Sequence, residues 1–158
     1  ILMNTTQDNF QRFKLEEGTH FGKSPWILID QSMINDFARI TRDDQFIHVN
    51  QHRAEIETKF GGTVAHGFLV LSLASKVAME LLPDYAENSI RINYGFNKVR
   101  FTFPVRSNSE VRGSLFLKKV ELRKGSELRQ TFDLRIEIKG AEKPAIAAEW
   151  IILTIFKN

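Results

Sequence analysis

The chain has 158 residues, 42% apolar and 26% charged, with 22 Lys/Arg against 19 Asp/Glu for a formal net charge of +3. That balance belongs to a folded globular protein and excludes wholesale disorder. The length fits one domain spanning residues 1–158, which can bury roughly two-thirds of its unfolded surface and so folds without a staple. There is no cysteine, which excludes a disulfide scaffold, a thiolate-held metal centre and a thiol nucleophile and fits a reducing compartment.

The N-terminal stretch has no apolar leader and carries Asp8, Glu16 and Glu17, unlike a targeting peptide. The longest uncharged run, residues 60–75, is 16 residues long and holds three Gly and a His, short of the ~20 apolar residues a spanning helix needs. A cytoplasmic protein with no membrane partner is expected.

In chain order, residues 26–29 read as a short strand. Asp30 then caps a helix running to about Thr41, with Met33, Ile34, Phe37, Ala38 and Ile40 at helical spacing. A second helical patch covers residues 52–57. Residues 68–82 form a helix stopped by Pro83, whose only charged members are Lys76 and Glu80. A helix apolar nearly all round is a buried one, so an acid at Leu71 is expected to unfold the protein.

From Ile90 the apolar residues alternate as Ile90, Ile92, Tyr94 and Phe96, then change phase to Val99, Phe101, Phe103 and Val105. One inserted residue exchanges the two faces of a strand, so this predicts a β-bulge at 95–98. A second change of phase near Lys118 and Lys119 separates Val111, Leu115 and Leu117 from Val120 and Leu122. Residues 123–126 read as a hairpin turn, 128–138 as an alternating strand, 140–144 as a turn and Ile146–Phe156 as a last apolar strand. Helices followed by strands imply an α+β domain: a strongly curved antiparallel sheet wrapped around one long buried helix, the hot-dog fold.

The charge is uneven, with ten Lys/Arg against three Asp/Glu in residues 91–129. Such a segment either attracts a phosphate-bearing ligand or forms the solvated face of a sheet, where Lys and Arg discourage edge pairing. No nucleic-acid recognition pattern accompanies it, so nucleic acid is not expected as a partner. No Glu-x-x-His, His-x-His or acidic cluster supports a metal, and Gly61-Gly62 is too short for a phosphate loop.

The stretch richest in chemistry runs Thr41-Arg-Asp-Asp-Gln-Phe-Ile-His-Val-Asn50 and continues at Phe60-Gly-Gly-Thr-Val-Ala-His-Gly-Phe-Leu69. Taken singly, Asp43 and Asp44 end one helix and cap the next, His48 is an ordinary histidine, His66-Gly67 is a turn into a helix, and Ser75 bonds to its own backbone. Together they resemble the signature of the MaoC-like dehydratases, which include the (R)-specific enoyl-CoA hydratases: Gly-Asp-x-Asn-Pro-Leu/Ile/Val-His, then His-Gly at the start of the buried helix. Asp43 and His48 keep the family spacing, Ile47 holds the branched position and His66-Gly67 follow at the right distance. Ser24-Pro-Trp26, Ile29-Asp-Gln31, Ile92-Asn-Tyr-Gly95, Val99-Arg-Phe101 and Pro104-Val105 are closer still to the nodulation-protein-N-like branch. Arg42 replaces the signature Gly, Gln45 the Asn and Phe46 the Pro; Gln followed by an aromatic is familiar in that branch. Arg42 either lowers the pKa of the acid beside it or turns outward to solvent or a substrate phosphate.

The resemblance implies a lyase that hydrates trans-2-enoyl thioesters of coenzyme A or acyl carrier protein to (3R)-3-hydroxyacyl thioesters, or runs the reverse dehydration. It implies no dissociable cofactor, no metal, and a homodimer joined sheet edge to sheet edge. By the same resemblance Asp43 is the principal general base and acid, and His48 orients the water and shares its proton. His66, Gly67 and Ser75 serve the substrate side, with Ser75 a hydrogen-bonding support. Hydration needs such groups: water must lose a proton as it attacks C3, and charge building on the thioester oxygen needs fixed N–H donors, which a helix beginning with a side-chain-free Gly67 offers. A hot-dog acyl thioesterase is an alternative, although residues 68–79 lack the acid such enzymes carry on the central helix. A non-catalytic acyl-thioester binding subunit is another. His20 and His52 are expected at the surface, and Phe46, Phe60 and Phe68 either line an acyl pocket or pack the core.

Overall fold

The structure, a computed structural model, describes residues 6–83 and 89–157. Helix α1 (Thr6–Leu15) leads into two short strands, β1 (His20–Lys23) and β2 (Ile27–Ile29). Three helices follow, α2 (Gln31–Thr41), α3 (Phe46–Val49) and α4 (Gln51–Glu57), and then α5 (Gly67–Ser72) and α6 (Ala74–Leu81). The long strands β3 (Ser89–Phe101), β4 (Ser109–Leu122), β5 (Glu127–Ile138) and β6 (Ile146–Phe156) complete the chain.

The strands form one antiparallel sheet in the order β1-β4-β5-β6-β3, with β2 also pairing β4. Its inner face supplies Leu115 and Leu117 from β4, Phe132 and Leu134 from β5, and Ile146, Trp150 and Ile152 from β6; these meet Leu69, Val70, Ala74, Val77 and Ala78 of α5 and α6. The sheet thus curls around a central helical segment, the hot-dog arrangement. Gly113 sets how closely they approach, because a Cβ at that position of β4 would stand 2.4 Å from Val77 Cγ2.

The phase changes are real features of the ladders. In β3 the register against β6 slips between Asn93 and Gly95 and again between Phe96 and Lys98. In β4 it slips between Leu117 and Lys119. The slips turn Phe96 onto Trp150 (ring centroids 6.0 Å) and Phe101 onto Phe68, while Asn93 Oδ1 accepts the Trp150 indole N–H at 2.8 Å. Ile90, Ile92 and Tyr94, opposite in phase to Asn93, are left exposed on the other face. Asp30 caps α2 as its position suggests, accepting from the Met33 N–H at 2.8 Å.

One expectation needs correction. The central helix is neither continuous nor buried all round: it breaks at Leu73 into α5 and α6. Leu69, Val70, Ala74, Val77 and Ala78 form the buried stripe, while Phe68 (69% exposed) and Met79 (75%) share the open flank with Ser72 and Ser75. The sheet covers one side of a cylinder, so apolar character around the whole circumference does not decide what this chain alone covers. Leu71 is accordingly only partly buried, and its neighbour Val70, 2% exposed, is the interior position.

Helices α1 and α3 and strand β1 have no counterpart in the periodicity. Helix α1 is mostly polar and docks through Phe10 and Phe13, and α3 is a single turn. Several cations of the basic segment are matched by acids of the same sheet: Arg112 by Glu137 and Lys118 by Asp133 on β5, Lys118 also by Glu149 on β6, and Lys119 by Glu121 on its own strand. No helix among the described residues is long and apolar enough to cross a membrane.

Candidate active site

The site begins where α2 stops. Arg42 is the C-cap of α2 in the left-handed conformation (φ 64, ψ 21), a reversal that glycine makes without strain and other L-residues at a cost of roughly 1–2 kcal/mol. This accounts for the Gly in the signature: the position is a backbone turn, and Arg42 fills it with its side chain exposed. Asp43 leaves the helix next and is also exposed. The single turn of α3 then carries His48 inward to 7% exposure.

A polar network that motif reasoning missed holds α3 in place. Gln31 Nε2 donates to the His48 carbonyl at 2.7 Å, and Gln31 Oε1 accepts from Thr63 Oγ1 at 2.5 Å. Gln51 Oε1 accepts from the Thr63 N–H at 3.0 Å and lies 3.0 Å from the hydroxyl oxygen, whose single proton goes to Gln31. Gly62 (φ 150) lies so close that a Cβ would meet Gln51 Nε2 at 2.8 Å, so this glycine serves the packing of the network. A glutamine on each of two helices and one Thr before the His-Gly pair were the available signal, too ordinary to single out.

His66, 2% exposed, is the N-cap of α5. Its ring stacks on that of His48, with centroids 3.8 Å apart and planes 22° from parallel, and tilts against Phe37 at 4.9 Å. Carbonyls only accept, so the backbone sets both tautomers. His48 Nδ1–H donates to the Val64 carbonyl at 2.6 Å and His66 Nε2–H to the Asp43 carbonyl at 2.8 Å. In the neutral rings this leaves His48 Nε2 and His66 Nδ1 as acceptors; His66 Nδ1 is buried without a hydrogen-bond partner among the described residues. Burial, the largest cause, pushes the His48 pKa below its usual value, and nearby His66 adds to this; the Val64 carbonyl and Asp43 oppose it.

One ligand atom from each of Asp43, His48 and His66 lies within 4.8 Å of the others. A water makes hydrogen bonds of ~2.8 Å, so one water can span acceptors up to about 5.6 Å apart. Two imidazoles and a carboxylate are also a donor set that zinc accepts. Ring lone pairs lie in the ring planes, however, and in nearly parallel stacked rings they run side by side. Those in-plane directions constrain any group bonded to both rings, a water as much as a cation.

Gly67 opens α5 and is exposed. The first helical bond runs from the Val70 N–H to the His66 carbonyl, so the N–H groups of residues 67–69 precede the ladder. Where a Cβ of residue 67 would stand, Phe101 Cδ1 lies 2.8 Å away. Ser75 is apart from the cluster, nine residues beyond His66 and about 13 Å along a helix. It lines, with Asn93, Phe96 and Phe68, a cavity of about 260 Å³ on the open flank of α5 and α6. Ser72 bonds back to the Leu69 carbonyl at 2.6 Å. Phe46 lies under the Arg53 guanidinium at 4.1 Å, Phe60 is at the surface, and His20 and His52 are exposed.

The family model described as the MaoC-like domain matches residues 12–136. Nodulation protein N of Rhizobium meliloti is 46% identical over 139 residues, covering 88% of this chain and 86% of that protein. The 3-hydroxyacyl-thioester dehydratase Z of Mycobacterium tuberculosis is 39% identical over 137 residues, 85% of this chain and 88% of its own. Among solved structures, the (R)-hydratase from A. caviae superposes with a TM-score of 0.70 at 23% identity, covering 87% of this chain and 95% of its own.

Proposed function

Because the chain belongs to the MaoC-like dehydratase family, we propose that it adds water to trans-2-enoyl thioesters of coenzyme A or acyl carrier protein to give (3R)-3-hydroxyacyl thioesters, and runs the reverse dehydration. The observation that carries this is the convergence of the Asp43 carboxylate with ring nitrogens of His48 and His66, within 4.8 Å of one another and so within the span of one water, beside a His48 ring whose Nδ1 is taken by Val64 and whose Nε2 is left to accept. A water between the Asp43 carboxylate and His48 Nε2 donates one O–H to each and turns a lone pair toward C3. As the C3–O bond forms, Asp43 takes one proton and the C2=C3 electron pair moves toward the thioester. His48, neutral because burial disfavours its cation, holds the second O–H. Asp43 then returns its proton to C2, so the product gains the elements of water. The Gly67 N–H at the start of α5 meets the thioester oxygen while it carries charge. No dissociable cofactor enters these steps.

Ser75 and the cavity on the open flank of α5 and α6 suit the carbon chain, being lined by Phe68, Leu71 and Phe96. The same reading makes the protein a cytoplasmic homodimer. Strand β3 is a free edge of 13 residues; Phe101 and Phe103 are exposed at its end, and Phe68 and Met79 on the flank beside it. A second copy would cover these next to Gly67. Thioester hydrolysis is less well supported: Glu80, the one acid on α5 and α6, is paired with Lys76 at the far end.

The test is the loss of enoyl absorbance with crotonyl-CoA and a longer trans-2-enoyl-CoA, with Asp43→Asn as control. Hydration abolished in the control is the expected result; release of free thiol without hydration would replace this reading with a thioesterase.

A further inference from the structure

His66 is more deeply buried than His48 and touches both members of the proposed pair without facing solvent itself. Asp43 needs such help. It follows a left-handed residue and is exposed, and no hydrogen bond reaches its carboxylate among the described residues. Its own N–H makes only a long 3.4 Å contact with Thr41 Oγ1. The 2.8 Å bond from His66 Nε2–H to the Asp43 carbonyl is the short tether of this turn to the body of the protein. His66 is itself well held: Ala65 N–H bonds to the Val105 carbonyl at 2.7 Å, the His66 carbonyl accepts from Val70, and Phe37 packs on the ring.

Resting on the assignment of Asp43 and His48 as the hydratase pair, we infer that His66 is a positioning residue, which clamps the Asp43 turn through its main-chain carbonyl and braces the His48 ring by stacking, so that one buried imidazole sets the separation of the Asp43 and His48 side chains. The site tolerates little slack, since a misplacement of ~1 Å costs about 10²-fold in rate. The stacked rings also share an electrostatic fate. The titratable groups facing His48 are Asp43, which favours its cation, and His66, which opposes it.

Two substitutions separate the functions of the ring. His66→Phe keeps a planar ring and removes the donor. His66→Gln places an amide nitrogen near the position of Nε2 and keeps the donor. Crotonyl-CoA hydration by His66→Phe is expected to lose about 10–100-fold in kcat with KM within about threefold. The acid limb of its kcat/KM profile should move to higher pH, because a neighbour that opposes the His48 cation is gone. His66→Gln is expected to recover kcat to within about tenfold of the parent, with the same direction of limb shift. In the Asp43→Asn background, His66→Phe should cost almost nothing further, because it acts through Asp43.

A folded His66→Phe protein with parental kcat, or an unmoved acid limb in both variants, overturns the inference. So does a full additional loss in the Asp43→Asn background. If His66→Phe does not fold, His66→Gln decides: a loss of ~10²-fold or more with an unchanged melting temperature refutes the clamp. Failure of the underlying assignment is distinguishable, since Asp43→Asn would then itself be active.

Discussion

Replacing Gly113 with Ala probes the contact on which the architecture depends. The added Cβ would stand 2.4, 2.6 and 3.0 Å from Cγ2, Cγ1 and Cβ of Val77, where non-bonded carbons prefer ~3.5–4.0 Å. The overlap of about 1 Å has no easy relief. Val77 is 1% exposed, its rotamer is nearly fixed by β-branching in a helix, and the glycine backbone is held by Ser24 through two bonds of 2.9 and 3.0 Å. Helix α6 must therefore shift, at an overpacking cost of ~1–3 kcal/mol, offset in part by the ~0.5–1 kcal/mol that Ala gains over Gly within a strand. With a urea slope of ~1–3 kcal/mol/M, the midpoint should fall by up to about 2.5 M. Val77→Ala removes the clashing methyls at its own cost of ~1.5–3 kcal/mol. The double variant should be more stable than the sum of the singles by ~1 kcal/mol or more. Strict additivity in the cycle would refute the close approach of α6 to β4.

Other expectations are simpler to check. Arg42→Gly should raise stability by ~0.5–1 kcal/mol in urea denaturation, because it relieves the left-handed C-cap at φ 64; a loss would mean that the Arg side chain contributes to the fold. Val70→Asp should leave no folded protein by circular dichroism, since an unpaired charge would sit at a 2% exposed site, while Phe68→Ser on the open flank should keep a folded chain. The depressed His48 pKa gives a signed prediction. Between the usual histidine value near ~6.5 and the lower folded value, the unfolded chain binds more protons, so stability present above pH ~6.5 is lost as pH falls through that window and then levels off. The kcat/KM profile should accordingly hold its plateau below pH ~6.5 before it drops; a limb centred above that value would contradict a neutral, buried His48.

What could be read in advance was what local chemistry determines. The Asp30 cap, the phase changes in β3 and β4 and the limits of β6 each follow from a few adjacent residues. Helix α1 was invisible because two phenylalanines dock an otherwise polar segment, and α3 because four residues carry no period. Exposure of the central helix depends on how far the sheet curls, which a helical pattern does not encode. At the site, the spacing singled out a stretch in which the side chains of Asp43, His48 and His66 come within 4.8 Å of one another. The role of Arg42 became clear only from its φ angle: the signature Gly records a turn, so the departure concerns backbone strain. The contact of His66 with the Asp43 carbonyl spans 23 residues and depends on that turn and on the depth of α5, neither of which a spacing rule contains. Gln31, Gln51 and Thr63 form their network only once α2, α4 and Gly62 meet.

The most direct test of the central claim is the configuration of the product. Purified protein incubated with crotonyl-CoA, followed by thioester hydrolysis and chiral chromatography, should yield (3R)-3-hydroxybutyrate. The yield should fall by ~10²-fold or more in Asp43→Asn, with the variant's circular dichroism unchanged. A (3S) product, or an (R) product formed equally well by Asp43→Asn, would contradict the account of Asp43 and His48 acting together on one water.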